Sequence, residues 1–399
     1  MTLTNSLHVV VVGGCGHVGL PLSVALSATG IHVRAYDTNS RNVHMVNDGK
    51  IPFFEDGLQE LLNQELESGR FEATSDIGVI KESEIVIIVI GTPVDEHLNP
   101  DPASIRRVME TLNPHLRAKQ LIILRSTVYP GVTQMVEDYL ESVNKEVHVA
   151  FCPERIAEGK ALEELHSLPQ IIGARSLVAK NEAEALFARL KLTVIHVSPE
   201  EAELAKLFTN TWRYIKFAAA NQFFMMANDF NIDFENVRHA IIKEYPRAAD
   251  MPGPGFAAGP CLFKDTMQLA AFNNNQFMLG HASMMVNEGL PLYLVSRTEA
   301  KFDLKHMTVG IIGMAFKGES DDTRSSLAYK LKHVLEFRSR KVICADDNVE
   351  LDKSLITEEQ LVRDSDLIFI GAPHRRYANM PITKPVIDIW NIRGGGVLI

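Results

Sequence analysis

One cysteine, Cys261, stands in the glycine- and proline-rich segment 253–265, GPGFAAGPCLFKD, with Lys264 and Asp265 close behind it. A thiol attacks as thiolate, and a nearby cation or helix N-terminus lowers its pKa toward that form. The residues that follow, KDTMQLAAF, have a helical pattern. The thiol is therefore predicted where backbone N–H groups and the positive end of the helix dipole point. Earlier in the chain, Glu203, Lys206 and Asn210 are spaced by three and four residues, which places them on one helix face. Lys206 and Asn210 interrupt a largely apolar helix, where a polar pair needs partners or a purpose.

A second constellation lies near the start. Gly14-Cys15-Gly16-His17-Val18-Gly19 gives GxGxxG after an apolar strand, opens a helix, and precedes a strand ending in Asp37. In that context the pattern is a dinucleotide fingerprint. Gly14 is expected to permit the tight turn, Gly16 to let the backbone approach a pyrophosphate, and Gly19 to allow close helix–strand packing. The pyrophosphate would rest on the helix N-terminus. Asp37 would accept hydrogen bonds from the ribose hydroxyls and repel a 2′-phosphate, which favours NAD over NADP. His17 and Val18 are counted with the cofactor contacts, although the motif requires neither residue type.

These residues need elements to hold them. The first half alternates β-branched strands (8–13, 32–37, 84–91, 121–126 and 148–153) with helical stretches, the pattern of a parallel sheet covered on both faces. Ligands of such sheets sit outside the carboxyl ends of the strands. From about Pro199 a run of roughly thirty residues is apolar around most of its circumference, so it is predicted to be a helix buried on nearly all sides. A second strand-rich unit follows, with strands at 307–318, 341–347, 366–373 and 385–390, and repeats the strand–Gly–helix opening without the full glycine triplet. The expected fold is α/β: two Rossmann-like, doubly wound parallel-sheet domains, 1–198 and 301–399, joined by a helical central domain, 199–300, with one long helix. That helix is the expected homodimer contact.

At 399 residues the chain is too long for one ordinary core. Its net charge is −10 and no block of Lys and Arg stands out, which argues against nucleic acid or anionic membrane as a partner. The apolar runs are strand-sized, far short of a membrane span. The opening MTLTNSLHVVVVGG shows no basic-then-apolar signal. The four scattered cysteines form no CxxC pair or disulfide pattern, so no metal site is expected and a cytoplasmic location is.

The ordered motifs GGCGHVGLP, GTPVDE (91–96), RSTVYPG (125–131), PERIAEG (153–159), AELAKLFTN (202–210), the Cys261 loop and GMAFKGESDDTRSS (313–326) run over nearly the whole chain. In them the sequence resembles the nucleotide-sugar 6-dehydrogenases, the family of UDP-glucose 6-dehydrogenase and its relatives acting on UDP-acetamidohexoses. The resemblance implies a four-electron oxidation of C6 from CH₂OH to carboxylate with two NAD⁺. Lys206 or a water held by Asp265 would remove the first proton. Cys261 would capture the aldehyde as a thiohemiacetal, which becomes a thioester that water hydrolyses. By the same likeness Lys206 and Asn210 stabilise the oxyanion, and Glu154 and Asp265 activate or hold the hydrolytic water. Thr92 and Thr127 would lie on the nicotinamide side, with Ser126 and Lys264 also in the cofactor set. Glu154, Arg155, Gly255 and Phe256 join Lys206 and Asn210 around the substrate. Lys317 and Arg324 would sit near its phosphates, and Arg247 would reach into the partner's site across a dimer.

The family's GFGGxCxPKD stands here as GFAAGPCLFKD, with Ala257, Ala258 and Phe263 in place of small or proline residues. Cys, Lys and Asp keep their places, and the change falls on the shape of the sugar pocket. PERIAEG combines the arginine of the acetamido-sugar branch with the EG ending of the UDP-glucose branch. An NDP-glucose, with UDP or dTDP as the nucleotide, is the expected substrate. The alternative is the same chemistry on a UDP-N-acetylhexosamine with the gluco, manno or galacto configuration. A β-hydroxyacid dehydrogenase predicts neither the Cys261 loop nor the C-terminal α/β unit. A silent NAD-binding regulator has no need of Cys261 or Lys206.

Overall fold

The computed structural model describes residues 7–92, 95, 101 and 103–399. Of the motif GTPVDE, Pro93, Val94 and Glu96 lie outside the described residues. The chain folds as two compact units, Met1–Phe208 and Thr209–Ile399.

Strands rich in Val and Ile with no polar face must be covered on both sides. The strands of the first unit, of which β1, β4 and β5 have this character, are β1 (His8–Val12), β2 (His32–Tyr36), β3 (Phe71–Thr74), β4 (Ile85–Ile88), β5 (Leu121–Leu124), β6 (His148–Phe151), β7 (Gln170–Gly173) and β8 (Val194–Val197). They form one sheet in the order β3-β2-β1-β4-β5-β6-β7-β8. Neighbours run parallel, with Val9 of β1 opposite both Val33 and Ile85, except that β6 and β7 are antiparallel. Alternate residues of β1 enter different cores: Val9 and Val11 join Leu22, Leu26 and Phe187, whereas Val10 and Val12 join Met109, Val136 and Leu140. The sheet is therefore doubly wound, and its order reverses between β1 and β4, the crevice where such folds bind ligands. The five expected strands are all present. β3, β7 and β8 were not expected: FEAT and VIHV carry polar residues among the apolar ones, and QIIG has only two apolar residues in a row.

In the second unit β9 (Thr308–Ile312), β10 (Lys341–Ala345), β11 (Leu367–Ile370) and β12 (Val386–Ile387) make a parallel sheet in the order β10-β9-β11-β12. One face, with Val309, Ile311 and Phe369, packs on Phe224, Phe256, Leu290 and Leu294. The helices of the central segment and the C-terminal sheet thus share one core. The other face, with Ile312, Ile368 and Ile370, covers Tyr377.

The long helix spans Pro199–Asp229, 31 residues, and the boundary between the units falls within it. In the second unit its buried stripe is Tyr214, Ala218, Asn221, Phe224 and Asn228, while Trp212, Phe223 and Met226 are exposed. Among the described residues no helix is long and apolar enough to cross a membrane.

Candidate functional site

In the first unit β1 ends at Gly13, whose φ is 81°. A Cβ there would lie 2.0 Å from the carbonyl oxygen of Val89. The left-handed turn thus falls one residue ahead of Gly14, to which the motif assigned it. Gly14 lacks room for a different reason, since its Cβ would lie 2.7 Å from Cα of Ala35 on β2. Gly19 packs as expected, with 2.1 Å between a built Cβ and the Gly13 oxygen. At Gly16 a Cβ would meet nothing closer than that oxygen, at 3.6 Å. The open side of Gly16 is the cradle into which a pyrophosphate fits. Val18 opens the helix Gly19–Ser27, and the ring of His17 stacks on Phe53 with centroids 4.2 Å apart. Asp37, half-buried, accepts from the N–H of Cys15 at 3.1 Å and of Asn39 at 2.9 Å. Its carboxylate is thereby held against the glycine loop. Burial and then the charge of Asp37 push the Cys15 thiol up to about 12, so Cys15 supplies no nucleophile.

The neighbouring strand ends are tied to one another. Thr92 donates from Oγ1 to the carbonyl of Thr127 at 2.5 Å, and Ser126 Oγ accepts from the N–H of Ile90 at 2.8 Å. Beneath them lies a residue missed from the sequence, Arg125, which is almost wholly buried. It donates from Nε to Glu154 Oε2 at 2.8 Å and a second time from Nη2, and its Nη1 reaches Gln170 Oε1 at 2.8 Å and the Cys152 carbonyl at 3.1 Å. Glu154 Oε1 takes the N–H groups of Arg155 at 2.7 Å and Ile156 at 3.0 Å. Four donors fill the acceptor positions of that carboxylate. Through these bonds Glu154 anchors the turn after β6. Arg155 turns its guanidinium to the carbonyl of Pro169, and burial lowers its pKa. The one sequence signal for Arg125 was an arginine closing the apolar run LIILR.

The polar stripe of the long helix divides by role. Glu203, buried, accepts from the N–H of Gly131 at 2.7 Å and of Thr133 at 2.8 Å and from the Thr133 hydroxyl at 2.5 Å. It caps the helix Val132–Ser142, where an anion meets the positive end of the dipole. Lys206 is 9% exposed, and among the described residues nothing bonds or pairs with its ammonium.

In the second unit Cys261 is exposed and stands at the N-cap of the helix Leu262–Phe272. Its carbonyl accepts the N–H of Asp265 at 2.8 Å. Asp265 is fully buried, and Asn210 donates to its Oδ2 at 2.6 Å. Its Oδ1 has no hydrogen bond, and the Lys264 ammonium lies 3.5 Å away. The loop before Cys261 is built on two glycines. Gly255 has φ 154° and a Cβ there would lie 2.2 Å from the Trp390 ring, while Phe256 meets that ring edge-on at 6.0 Å. Gly259 has φ 97°, would bring a Cβ within 2.6 Å of Phe316, and donates its N–H to the carbonyl of Ser325 at 3.3 Å. Lys317 and Arg324 adjoin those two supports. The Lys317 ammonium is 5.4 Å from the Phe316 ring centre, and Arg324 grips Asp322 through Nε at 2.9 Å and Nη2 at 2.6 Å. Arg247 is exposed, with its guanidinium 6.0 Å from the Tyr245 ring centre. Cys152 and Cys344 are buried, which pushes both thiols up to about 12.

The second unit repeats the strand-end device of the first. After β9, Gly313 has φ 88°, and Asp346, at the end of β10, takes the N–H groups of Met314 at 2.7 Å and Ala315 at 3.0 Å. Unlike Asp37, Asp346 is buried and is also met by His374 Nε2 at 3.1 Å. Burial pushes its pKa up, but the His374 contact and the two amides outweigh that and hold it below the ordinary value.

A doubly wound Rossmann sheet with a glycine turn at the end of its first strand, and a second α/β sheet, define the class as nicotinamide-dependent. Three models of one family match in chain order: the NAD binding domain over residues 8–191, the central domain over 200–288 and the UDP binding domain over 310–394. The chain belongs to the UDP-glucose/GDP-mannose dehydrogenase family and is an NAD-dependent oxidoreductase of the nucleotide-sugar dehydrogenase class. It is 29% identical over 381 residues to a UDP-N-acetyl-D-mannosamine dehydrogenase of Pyrococcus horikoshii, covering 92% of this chain and 90% of that one. The solved structure of a UDP-D-ManNAc dehydrogenase from the same organism superposes with a TM-score of 0.87 at 27% identity, over 94% and 91% of the two chains. A UDP-glucose dehydrogenase from Pyrobaculum islandicum does so with 0.89 at 25% identity, over 96% and 94%.

Proposed function

We propose that this enzyme oxidises C6 of a UDP-N-acetylhexosamine, most closely a UDP-N-acetylmannosamine, to the uronic acid. The observation that carries the chemistry is the placement of Cys261, an exposed thiol at a helix N-cap beside the buried Asn210–Asp265 pair. Oxidation of an alcohol to an aldehyde or ketone has no use for a thiol, whereas a thiol that captures the aldehyde retains it for a second oxidation to the acid. The sugar is argued from the relatives: the curated proteins that match over about nine-tenths of the chain are named for UDP-N-acetyl-D-mannosamine. The Pyrobaculum islandicum structure keeps UDP-glucose as the second reading.

Per sugar, the alcohol and one water become a carboxylate while two hydrides and three protons leave. Gly14, Gly16, Gly19 and Asp37 would hold NAD, with His17, Val18, Thr92, Ser126, Thr127 and Lys264 around it, and the cofactor would supply the hydride acceptor for each oxidation. Lys206 or a water on Asp265 Oδ1 takes the proton of the C6 hydroxyl. The Cys261 sulfur then bonds to C6 of the aldehyde, and the ammonium of Lys206 and the amide of Asn210 stabilise the oxygen anion. After the second oxidation C6 is a thioester. Water held by Asp265 adds to it and the C–S bond breaks, returning the thiol. Glu154 acts here only as a positioning residue, through Arg125 and its own turn. Lys317 and Arg324 meet the diphosphate, Arg155, Gly255 and Phe256 line the sugar side, and Arg247 extends toward a partner subunit. The segments 1–198, 199–300 and 301–399 would serve as cofactor, thiol-bearing and nucleotide-binding parts of a cytoplasmic homodimer.

The test is NADH formed per sugar consumed with UDP-N-acetylmannosamine, UDP-N-acetylglucosamine, UDP-N-acetylgalactosamine, UDP-glucose and dTDP-glucose. The expected result is two NADH per sugar, with the manno substrate turned over fastest. Preference for a glucose nucleotide would overturn the sugar assignment. One NADH with release of free aldehyde would overturn the role of Cys261.

A further inference from the structure

The loop that carries Cys261 has an anchor six residues upstream of the thiol. Asn221, in the middle of the long helix, donates from Nδ2 to the carbonyl of Gly255 at 3.0 Å and accepts the N–H of the same glycine on Oδ1 at 2.9 Å. Its amide is oriented in turn by Asn287 Oδ1, 2.9 Å from the same Nδ2, and Asn287 donates to the carbonyl of Tyr214 at 3.1 Å. Both asparagines are fully buried. Asparagine is a poor residue for a helix interior and is costly to bury unless its bonds are filled. Here they are filled by both backbone groups of one glycine, and Trp390 closes the opposite side of that glycine so tightly that no side chain fits.

We propose that Asn221 is a positioning residue for Cys261. Between Gly255 and the thiol the chain is held by Phe256 against Trp390, by buried Ala257 beside Tyr214, and by Gly259 against Phe316 and Ser325, so Gly255 is the first of a short series of supports that ends at the N-cap. Cys261 is the N-cap residue of Leu262–Phe272, and a thiolate gains from a helix N-terminus only within about one turn of it. Because Cys261 is already exposed, loosening the loop adds little access and removes this stabilisation. The inference rests on Cys261 being the nucleophile, and its first readout needs no substrate.

The experiment compares the full-length enzyme with Asn221→Ala and with the isosteric Asn221→Asp, which keeps the acceptor for the Gly255 N–H. Alkylation of Cys261 by iodoacetamide is followed by peptide mass from about pH 6 to 9, spanning the ordinary thiol range. The expected result is an alkylation rate at about pH 7 lowered by about fivefold or more, with its pH midpoint raised. NADH affinity stays unchanged. With whichever nucleotide sugar the wild type oxidises, kcat should fall by a larger factor than KM rises. Wild-type alkylation in a folded variant would overturn the proposal, as would weakened NADH binding, which marks general loosening. If Asn221→Ala does not fold, Asn221→Asp decides alone. Altered alkylation in an enzyme inactive on all five sugars would uphold the positioning role while the substrate assignment fails.

Discussion

At the scale of the residue, surroundings separate Cys261 from the chain's other cysteines. Cys15, Cys152 and Cys344 are buried, and burial pushes each thiol up to about 12, beyond the reach of neutral pH. Cys261 is exposed at a helix N-cap. Cys261→Ser should therefore bind NADH and the sugar nucleotide as the wild type does and fail to complete the second oxidation. A rapid-quench count should find no covalent sugar adduct and at least about 10²-fold less uronic acid, since a neutral hydroxyl is a far weaker nucleophile than a thiolate. Uronic acid formed at the wild-type rate would show that the thiol is dispensable.

At the scale of the element, the ends of strands are where charge is fixed, and Asp346 shows what that does for stability. Its folded pKa lies below the ordinary 3.8, so its contribution is complete above that value and is lost as pH falls toward the folded pKa. Asp346→Asn should lower stability at neutral pH by about 1–3 kcal/mol, the cost of weakening a buried hydrogen-bond cluster. It should also flatten the loss of stability below about pH 4, because the titrating group is gone. Urea unfolding at a series of pH values measures both effects, and parallel acid limbs in the two proteins would exclude them. The elements themselves differed in how plainly the sequence announced them. The long helix, the GxGxxG turn and the strands around β1 could be read because apolar period and glycine spacing are local signals. The displacement of the turn to Gly13 could not, because it depends on the Val89 carbonyl from another strand. Nor could the parts played by Glu203 and Glu154. A carboxylate's partner is chosen by tertiary approach, and Glu203 bonds to amides some seventy residues away. The clasp of Asn221 on Gly255 escaped for the same reason.

At the scale of the whole molecule, each unit is internally complete, yet the long helix keeps an apolar face uncovered. Trp212, Phe223, Met226 and Phe230 recur at helical spacing on the side away from Tyr214 and Phe224, and Phe230 is 79% exposed. In the proposed homodimer this stripe of aromatic and Met side chains is the contact. For a proposed homodimer of 44.4 kDa chains, the double change Trp212→Glu and Phe230→Glu should convert the dimer to monomer in light scattering. An unchanged mass would place the contact elsewhere.

Asp37 and Asp346 answer the same turn in the two sheets, and selection must treat them differently. A lineage that replaces Asp37 gives up two amide contacts from a half-buried carboxylate. One that replaces Asp346 strands two buried amides and a buried imidazole, and the C-terminal sheet bears the loss whatever it binds. Among descendants of such a duplicated pattern, the open carboxylate can drift with the ligand, whereas the enclosed one is inherited along with the fold.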